Sequence, residues 1–433
     1  MYYDLTRGKI SRSLILFALP MIAGNLLQQF YNIADTLIVG RVLGSNALAA
    51  VGSSYTLMTF LTSIFLGLSM GAGALFSIYQ GRKDLSSLKL SILHAFLLIL
   101  AVTLVLNLAV YAGIEPILTF LRVPDEVRPG MRTYLLIIFA GLIATSVYNF
   151  FSCMLRALGN SSVPLIFLAV SAVLNIALDL LFVAVLPFGI AGAALATVLA
   201  QYVSAVGILL YVLLRCRMWL PSKKEWRFSH SILKKILNLS SMTCIQQSVM
   251  NFGILMVQGL VNSFGPAVMA GFAVAVKIDT IAYMPVQDFG NAFSVFTAQN
   301  FGAGKHDRIK SGIKQSLISV ILFCAAVSTA VFFLSEPLMS LFCSDSETVA
   351  IGVQYLRTEG LCYIGIGILF MLYGYYRAVN KPLMSVVLTI LSLGTIVLLA
   401  YILSPYLHSE LWEYGLLYLS TDLLPMQSEQ DII

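Results

Sequence analysis

The chain has 433 residues and a formal net charge of +6, and 59% of its residues are hydrophobic while only 11% are charged. Soluble globular domains carry about 25% charged residues, so this composition argues against a soluble multidomain enzyme. At roughly 35 residues per spanning helix and loop, the length predicts about twelve transmembrane helices, and thus an all-α polytopic membrane protein.

Eleven apolar runs follow one another along the chain, each long enough to cross a bilayer as a helix. Their approximate limits are 13–40, 48–80, 90–114, 131–155, 163–187, 189–214, 236–264, 267–299, 313–335, 350–376 and 383–404. With a cytoplasmic N-terminus, most of the 26 Lys and Arg residues fall in cytoplasmic segments. We therefore predict a multi-pass protein of the cell membrane whose N-terminus is cytoplasmic.

The chain divides into two related halves. Landmarks of the first half recur in the second at an offset of 221 residues: Gly44 with Gly265, Tyr134-Leu135 with Tyr355-Leu356, and Arg156-Ala157 with Arg377-Ala378. A duplicated six-helix unit explains the offset, and because six is even, the copies are related by a pseudo-twofold axis along the membrane normal. We predict an N-terminal lobe of six helices at 1–214, a cytoplasmic linker at 215–235 and a C-terminal lobe at 236–404.

The C-terminal lobe is predicted to lack its sixth helix. After Pro405 the sequence contains five acidic residues and no uncharged run longer than eight, too little to cross about 30 Å of hydrocarbon. From His408 onward, the degenerate code read two bases later permits a sequence similar to FGIAGAALATVL at 188–199. We predict that a frameshift replaced the last helix with the tail 405–433; a genuine external tail is the alternative.

Carboxylates within membrane spans are costly and are therefore candidates for function. Asp35, Asp179 and Thr197 each lie about eight residues from the outer end of their run, roughly 12 Å deep. Asn175 precedes Asp179 by one turn. Oxygen ligands at one level suit a hard cation, and two neighbouring acids could equally carry protons. We interpret these four residues as a coupling-ion or proton site; the alternative is that the acids only bond polar groups on neighbouring helices.

The second half carries weaker candidates. A possible polar site there comprises Gln246, Gln247, Lys277, Asp279 and Asp288. Lys277 and Asp279 could instead form a neutralised ion pair, with Asp288 making a polar contact. Glu359 is expected near the outer start of the tenth run, at the membrane interface. The four His residues are scattered and do not indicate a metal cluster. The sequence has no GxxxxGKS motif, so it does not predict an ATP-driven motor.

Three motifs, in this order, resemble the multidrug and toxic compound extrusion (MATE) family across residues 10–404. They are ALPMIAGNLLQQFYNIADTLIVGRVLG in the first run, MLRALGNSSVPL after the fourth, and VQDFGNAFSVFTAQNFGAGKHDR through the eighth. The resemblance implies alternating access and efflux of organic compounds driven by inward Na⁺ or H⁺. It also implies cation binding in the N-terminal lobe, at Asp35, Asn175, Asp179 and Thr197, and a first helix that bends at Pro20. Some members carry an acidic residue in the seventh helix, where this chain has Gln246-Gln247, and this departure argues against a second cation site.

We therefore predict a secondary antiporter and not an enzyme, with no cofactor besides the coupling Na⁺ or H⁺. The expected partners are small organic, often cationic substrates and membrane lipids; we expect a monomer that binds no nucleic acid. The alternative is a flippase for lipid-linked precursors, as related two-lobe exporters move polyprenyl-phosphate cargo. Such a flippase needs arginines in its cavity, and only Lys277 and Arg357 lie within the predicted spans.

Overall fold

The computed structural model describes residues 3–403 except 121–122, 124, 187, 223–224, 262–263, 265 and 343–344. Within this part of the chain, helices occupy all eleven predicted runs and there is no strand. Eight of these helices are each long and apolar enough to cross a membrane, and a bent pair makes a ninth. The predicted all-α membrane fold is confirmed, whereas the tail 405–433 and its proposed frameshift lie outside the described residues.

The helices of the first half are α1 (Ile10–Leu43), α2 (Ser45–Arg82), α3 (Leu85–Ala112), α4 (Ile114–Phe120), α5 (Arg128–Ile138), α6 (Gly141–Ala157), α7 (Ser162–Asp179) and α8 (Gly189–Arg215). Those of the second half are α9 (His230–Val261), α10 (Pro266–Gly302), α11 (His306–Ser340), α12 (Ser346–Ala378) and α13 (Pro382–Leu403). Because about 20 residues cross the hydrocarbon, the longer helices must tilt or extend beyond it.

The described chain forms two compact units. The first unit comprises Leu19–Cys244 and the N-terminal residues up to Asp4, and the second comprises Leu5–Ala18 and the chain from Ile245 onward. The units therefore divide within α1 and α9, whereas the predicted boundary was the linker 215–235. In the first unit α2 packs along α6, and in the second unit α10 packs along α12, which are corresponding helices of the predicted repeat.

The first half of α9 belongs to the first unit because α2 presents glycines to it. A Cβ atom added to Gly71 would lie 2.5 Å from the carbonyl oxygen of Leu239, so the two backbones are in direct contact there. One turn earlier, a Cβ atom on Gly67 would lie 2.6 Å from the Cα atom of Cys244. The Ser240 hydroxyl donates to the Leu68 carbonyl at 2.9 Å. Small residues at this spacing permit close helix packing in membranes.

The fourth predicted run is not one straight helix. It consists of α5 and α6, which meet at an angle of 46° near Phe139 and Ala140. Neighbouring side chains bond the carbonyl groups at the bend: Asn107 donates to Phe139 at 2.7 Å, and Tyr202 donates to Ala140 at 2.9 Å. A backbone carbonyl without a partner is costly in hydrocarbon, so these two donors stabilise the bend.

The N-terminal segment before α1 is held by basic side chains of the second unit. Arg308 donates to the carbonyl groups of Arg7 at 2.7 Å and Gly8 at 2.8 Å, and its guanidinium also bonds the Leu5 carbonyl at 3.3 Å. The Lys305 ammonium donates to the Thr6 carbonyl at 2.8 Å. The motif FGAGKHDR therefore binds the start of the chain through side chains that follow α10.

Replacing Arg308 with glutamine should loosen this segment. The change removes charge-assisted hydrogen bonds that are partly exposed. We therefore expect the free energy of local opening of this segment to fall by about 1–2 kcal/mol. Trypsin should then cleave after Arg7 and Lys9 about 5–30-fold faster, measured by mass spectrometry of the purified protein. Lys310→Gln, an exposed position on the same helix, is the control; equal cleavage rates in both variants would contradict the assignment.

Candidate functional site

The end of α7 carries the acidic residue of the predicted ion site. The α-helix ends at Asp179 and continues as a wider π-helical turn, Leu180–Val185. Such turns are rare and occur often at functional sites. Helix α8 comes close to this turn at Gly192, where an added Cβ atom would lie 2.8 Å from the Phe182 carbonyl oxygen. The absence of a side chain at Gly192 thus allows the start of α8 to lie directly beside the turn.

This close approach brings α7 and α8 together at two polar residues. The Asn175 amide nitrogen lies 3.4 Å from the Thr197 hydroxyl oxygen, which itself donates to the Ala193 carbonyl at 3.1 Å. Asn175 is buried and Thr197 is half-buried. Because the Asn175 amide nitrogen faces Thr197, the amide oxygen of Asn175, a possible cation ligand, points away from Thr197.

Asp35 of α1 and Asp179 of α7 interact directly through their carboxyl groups. Asp179 is fully buried and Asp35 is half-buried. Among the described residues, no donor reaches either oxygen of Asp179, one oxygen of Asp35 or the amide oxygen of Asn175. Buried oxygens without donors are costly. A proton shared by the two carboxyl groups, or a hard cation between them, would satisfy these oxygens.

Two tyrosines accompany this acidic pair, and sequence reasoning did not single them out as site residues. Tyr134 of α5 is buried and interacts electrostatically with both Asp35 and Asp179. Tyr31 precedes Asp35 by one helical turn and interacts with it as well. The only signal for Tyr134 was its place in the 221-residue repeat, which indicated duplication and not a site.

Pro20 lies within α1, which continues through it as one helix. The change from the second unit to the first falls between Ala18 and Leu19, directly before this proline. A proline inside a helix removes one backbone hydrogen bond and weakens that turn. The predicted bend and hinge at Pro20 therefore lie beside the residues at which α1 passes from the second unit to the first.

In the second unit the predicted polar residues differ in burial and in their contacts. Asp279 is buried and accepts a hydrogen bond from the Tyr363 hydroxyl at 2.7 Å, whereas Lys277 is exposed. Two residues apart on a helix, they lie on different faces, so the expected ion pair is not formed. Gln246 and Asp288 are buried, and Gln247 is half-buried.

Glu359, expected near the outer start of the tenth run, has neighbours that its sequence position did not indicate. It is buried on α12 and interacts electrostatically with Tyr283 and Tyr363, the same tyrosines that interact with Asp279. Tyr283 follows Asp279 by one turn and Tyr363 follows Glu359 by one turn, so each helix contributes an acid and a tyrosine on one face. Helix α12 begins at Ser346, so Glu359 lies within the helix and not at its start.

The chain matches a protein-family model. The family model described as MatE matches residues 20–181 and 240–402. These two segments correspond to the two halves of the predicted repeat, and they include Asp35, Asn175, Asp179 and the second-unit acids.

The chain is 33% identical over 393 residues to the probable multidrug resistance protein YpnP of Bacillus subtilis (strain 168), covering 90% of this chain and 87% of that protein. It is 26% identical to the probable multidrug resistance protein NorM of Thermotoga maritima, covering 89% and 84%. Among solved structures, a MOP superfamily transporter from Pyrococcus furiosus aligns with a TM-score of 0.92 at 21% identity, covering 98% and 95%. That structural likeness shows the fold.

Proposed function

Because the chain belongs to the MatE family of multidrug efflux transporters, we propose that it exchanges Na⁺ or H⁺ for organic, often cationic compounds by alternating access. Members of this family are transporters and not enzymes. The observation that carries the proposal is the Asp35–Asp179 pair, whose buried oxygens lack donors in the described chain. No cofactor besides the coupling ion is needed for this activity.

The coupling ion would act by changing the charge of this pair. Two adjacent carboxylates repel each other in a low-dielectric site, so the doubly ionised pair is unstable unless it takes up a proton or a cation. Asp35 and Asp179 lie on different helices, and binding would therefore stabilise the contact between α1 and α7. The coupling ion and the substrate would then favour different arrangements of α1, which is the thermodynamic requirement for exchange.

We also propose that the protein lies in the cell membrane as a monomer with a cytoplasmic N-terminus, a topology supported by the distribution of Lys and Arg. In this orientation Asp35 and Asp179 would lie in the outer half of the membrane. An ion from outside could therefore reach the pair before substrate is released.

The experiment that tests the exchange uses purified protein in liposomes loaded with a fluorescent organic cation. An imposed H⁺ or Na⁺ gradient should drive substrate movement against its own gradient, and the ion that does so identifies the coupling. Inclusion of nigericin should abolish proton-driven transport, and monensin should abolish sodium-driven transport. Equal transport with and without both gradients would contradict an antiporter.

A further inference from the structure

The segment between α8 and α9 is docked on the first unit. The Lys89 ammonium of α3 bonds both carboxylate oxygens of Glu225, at 3.0 and 3.2 Å. The backbone N–H of Ser229 donates to Nε2 of His94 at 3.1 Å, and the Phe228 ring contacts the His94 ring at a centroid distance of 5.6 Å. These contacts fix residues 225–229 along the first three turns of α3.

The length of α3 places this segment at the membrane surface. The helix has 28 residues, or about 42 Å, which exceeds the roughly 30 Å hydrocarbon thickness by about two turns. The linker packs on the end of α3 that begins at Leu85, and α8 ends at Arg215 on the same side. The segment therefore lies where the helices leave the hydrocarbon.

The outward surface of the segment combines apolar and cationic side chains. Met218 and Trp226 are each 61% exposed and Phe228 is 74% exposed. Three exposed basic residues, Arg215, Arg217 and Arg227, have no carboxylate partner among the described residues. Glu225 is already paired with Lys89.

We propose that residues 215–222 and 225–229, between α8 and α9, bind anionic phospholipid headgroups of the adjoining leaflet. The guanidinium groups would donate to headgroup phosphates, and Trp226 and Phe228 would enter the interfacial layer, where amphipathic aromatic rings are enriched. Each basic residue near an anionic membrane strengthens binding about fivefold. The exposed rings of Trp226 and Phe228 favour a lipid surface over an acidic protein, because insertion into lipid would remove these rings from water. The inference does not depend on which ion or substrate is transported.

The test uses the full chain in lipid nanodiscs and follows Trp226 fluorescence. The chain has three tryptophans, so Trp219→Phe and Trp412→Phe leave Trp226 alone; the melting temperature of this variant shows whether it is folded. Brominated phosphatidylglycerol should quench Trp226 more than brominated phosphatidylcholine at the same mole fraction. In the Arg217→Gln/Arg227→Gln variant, half-maximal quenching should require at least about tenfold more phosphatidylglycerol.

Two controls make the test specific. Lys310→Gln/Lys381→Gln removes two exposed cations from the second unit and should leave quenching unchanged. The Ser222 backbone N–H and Lys89 lower the pKa of Glu225 to about 2, so the Glu225–Lys89 ion pair should persist from pH 8 down to pH 5. Equal quenching by both lipids, or no quenching by either lipid, would overturn the proposal. Binding of polyglutamate without a preference for either lipid would also overturn it and would assign the surface to a protein partner.

Discussion

Replacing Asp179 with asparagine is expected to abolish gradient-driven efflux. The substitution keeps the shape of the side chain but removes the charge with which the Asp35–Asp179 pair would hold a proton or cation. Coupling between two ligands is typically worth 1–3 kcal/mol, or about 5–150-fold in affinity. Without that coupling, uphill transport in proteoliposomes should fall at least about tenfold, and Asp35→Asn should have the same effect.

Stability measurements separate this expectation from a folding defect. Asp179 is fully buried, and no donor in the described chain reaches its oxygens. Neutralising a buried carboxyl of this kind should leave the melting temperature unchanged or raise it, since functional sites often reduce stability. Asp125→Asn makes the same chemical change at an exposed position and should transport normally. Full uphill transport by both Asp179→Asn and Asp35→Asn would exclude the pair as the coupling site.

Apolar patterning predicted the long helices because lipid requires all backbone groups to bond within a helix. It also placed Asp35, Asp179 and Thr197 at one depth, with Asn175 one turn from Asp179, and the structure brings Asp35 to Asp179 and Asn175 to Thr197. This works because depth along a helix follows directly from residue number. The resemblance to the family selected the same residues.

The remaining features depend on tertiary contacts that have no local signal. The bend near Phe139 contains no proline, and it is stabilised by donors from α3 and α8, which are distant in sequence. No local pattern around Glu359 indicated that its helix face packs with the one that carries Asp279. The division of α9 between the two units also depends on contacts with α2, far earlier in the chain.

Those contacts between α2 and α9 give the largest expected effect on stability. A Cβ atom on Gly71 would lie 2.5 Å from both the Leu239 carbonyl oxygen and the Ser240 Cα atom. Backbone atoms cannot rotate away as a flexible side chain can, so Gly71→Ala must push the two helices apart. Overpacking of this kind costs about 1–3 kcal/mol, and separation would also lengthen the 2.9 Å bond from Ser240 to Leu68.

Gly52 offers a matched control on the same helix, because a Cβ atom added there would meet nothing within 4 Å. Gly52→Ala should stabilise α2 by about 0.5–1 kcal/mol through the lower conformational entropy of alanine in the unfolded chain. The free energy of unfolding, measured by titration with a denaturing detergent, should therefore change in opposite directions in the two variants. Equal changes at Gly52 and Gly71 would show that α2 and α9 do not pack backbone to backbone in the membrane. The opposite signs follow from the contacts of each glycine, since both substitutions add the same methyl group to the same helix.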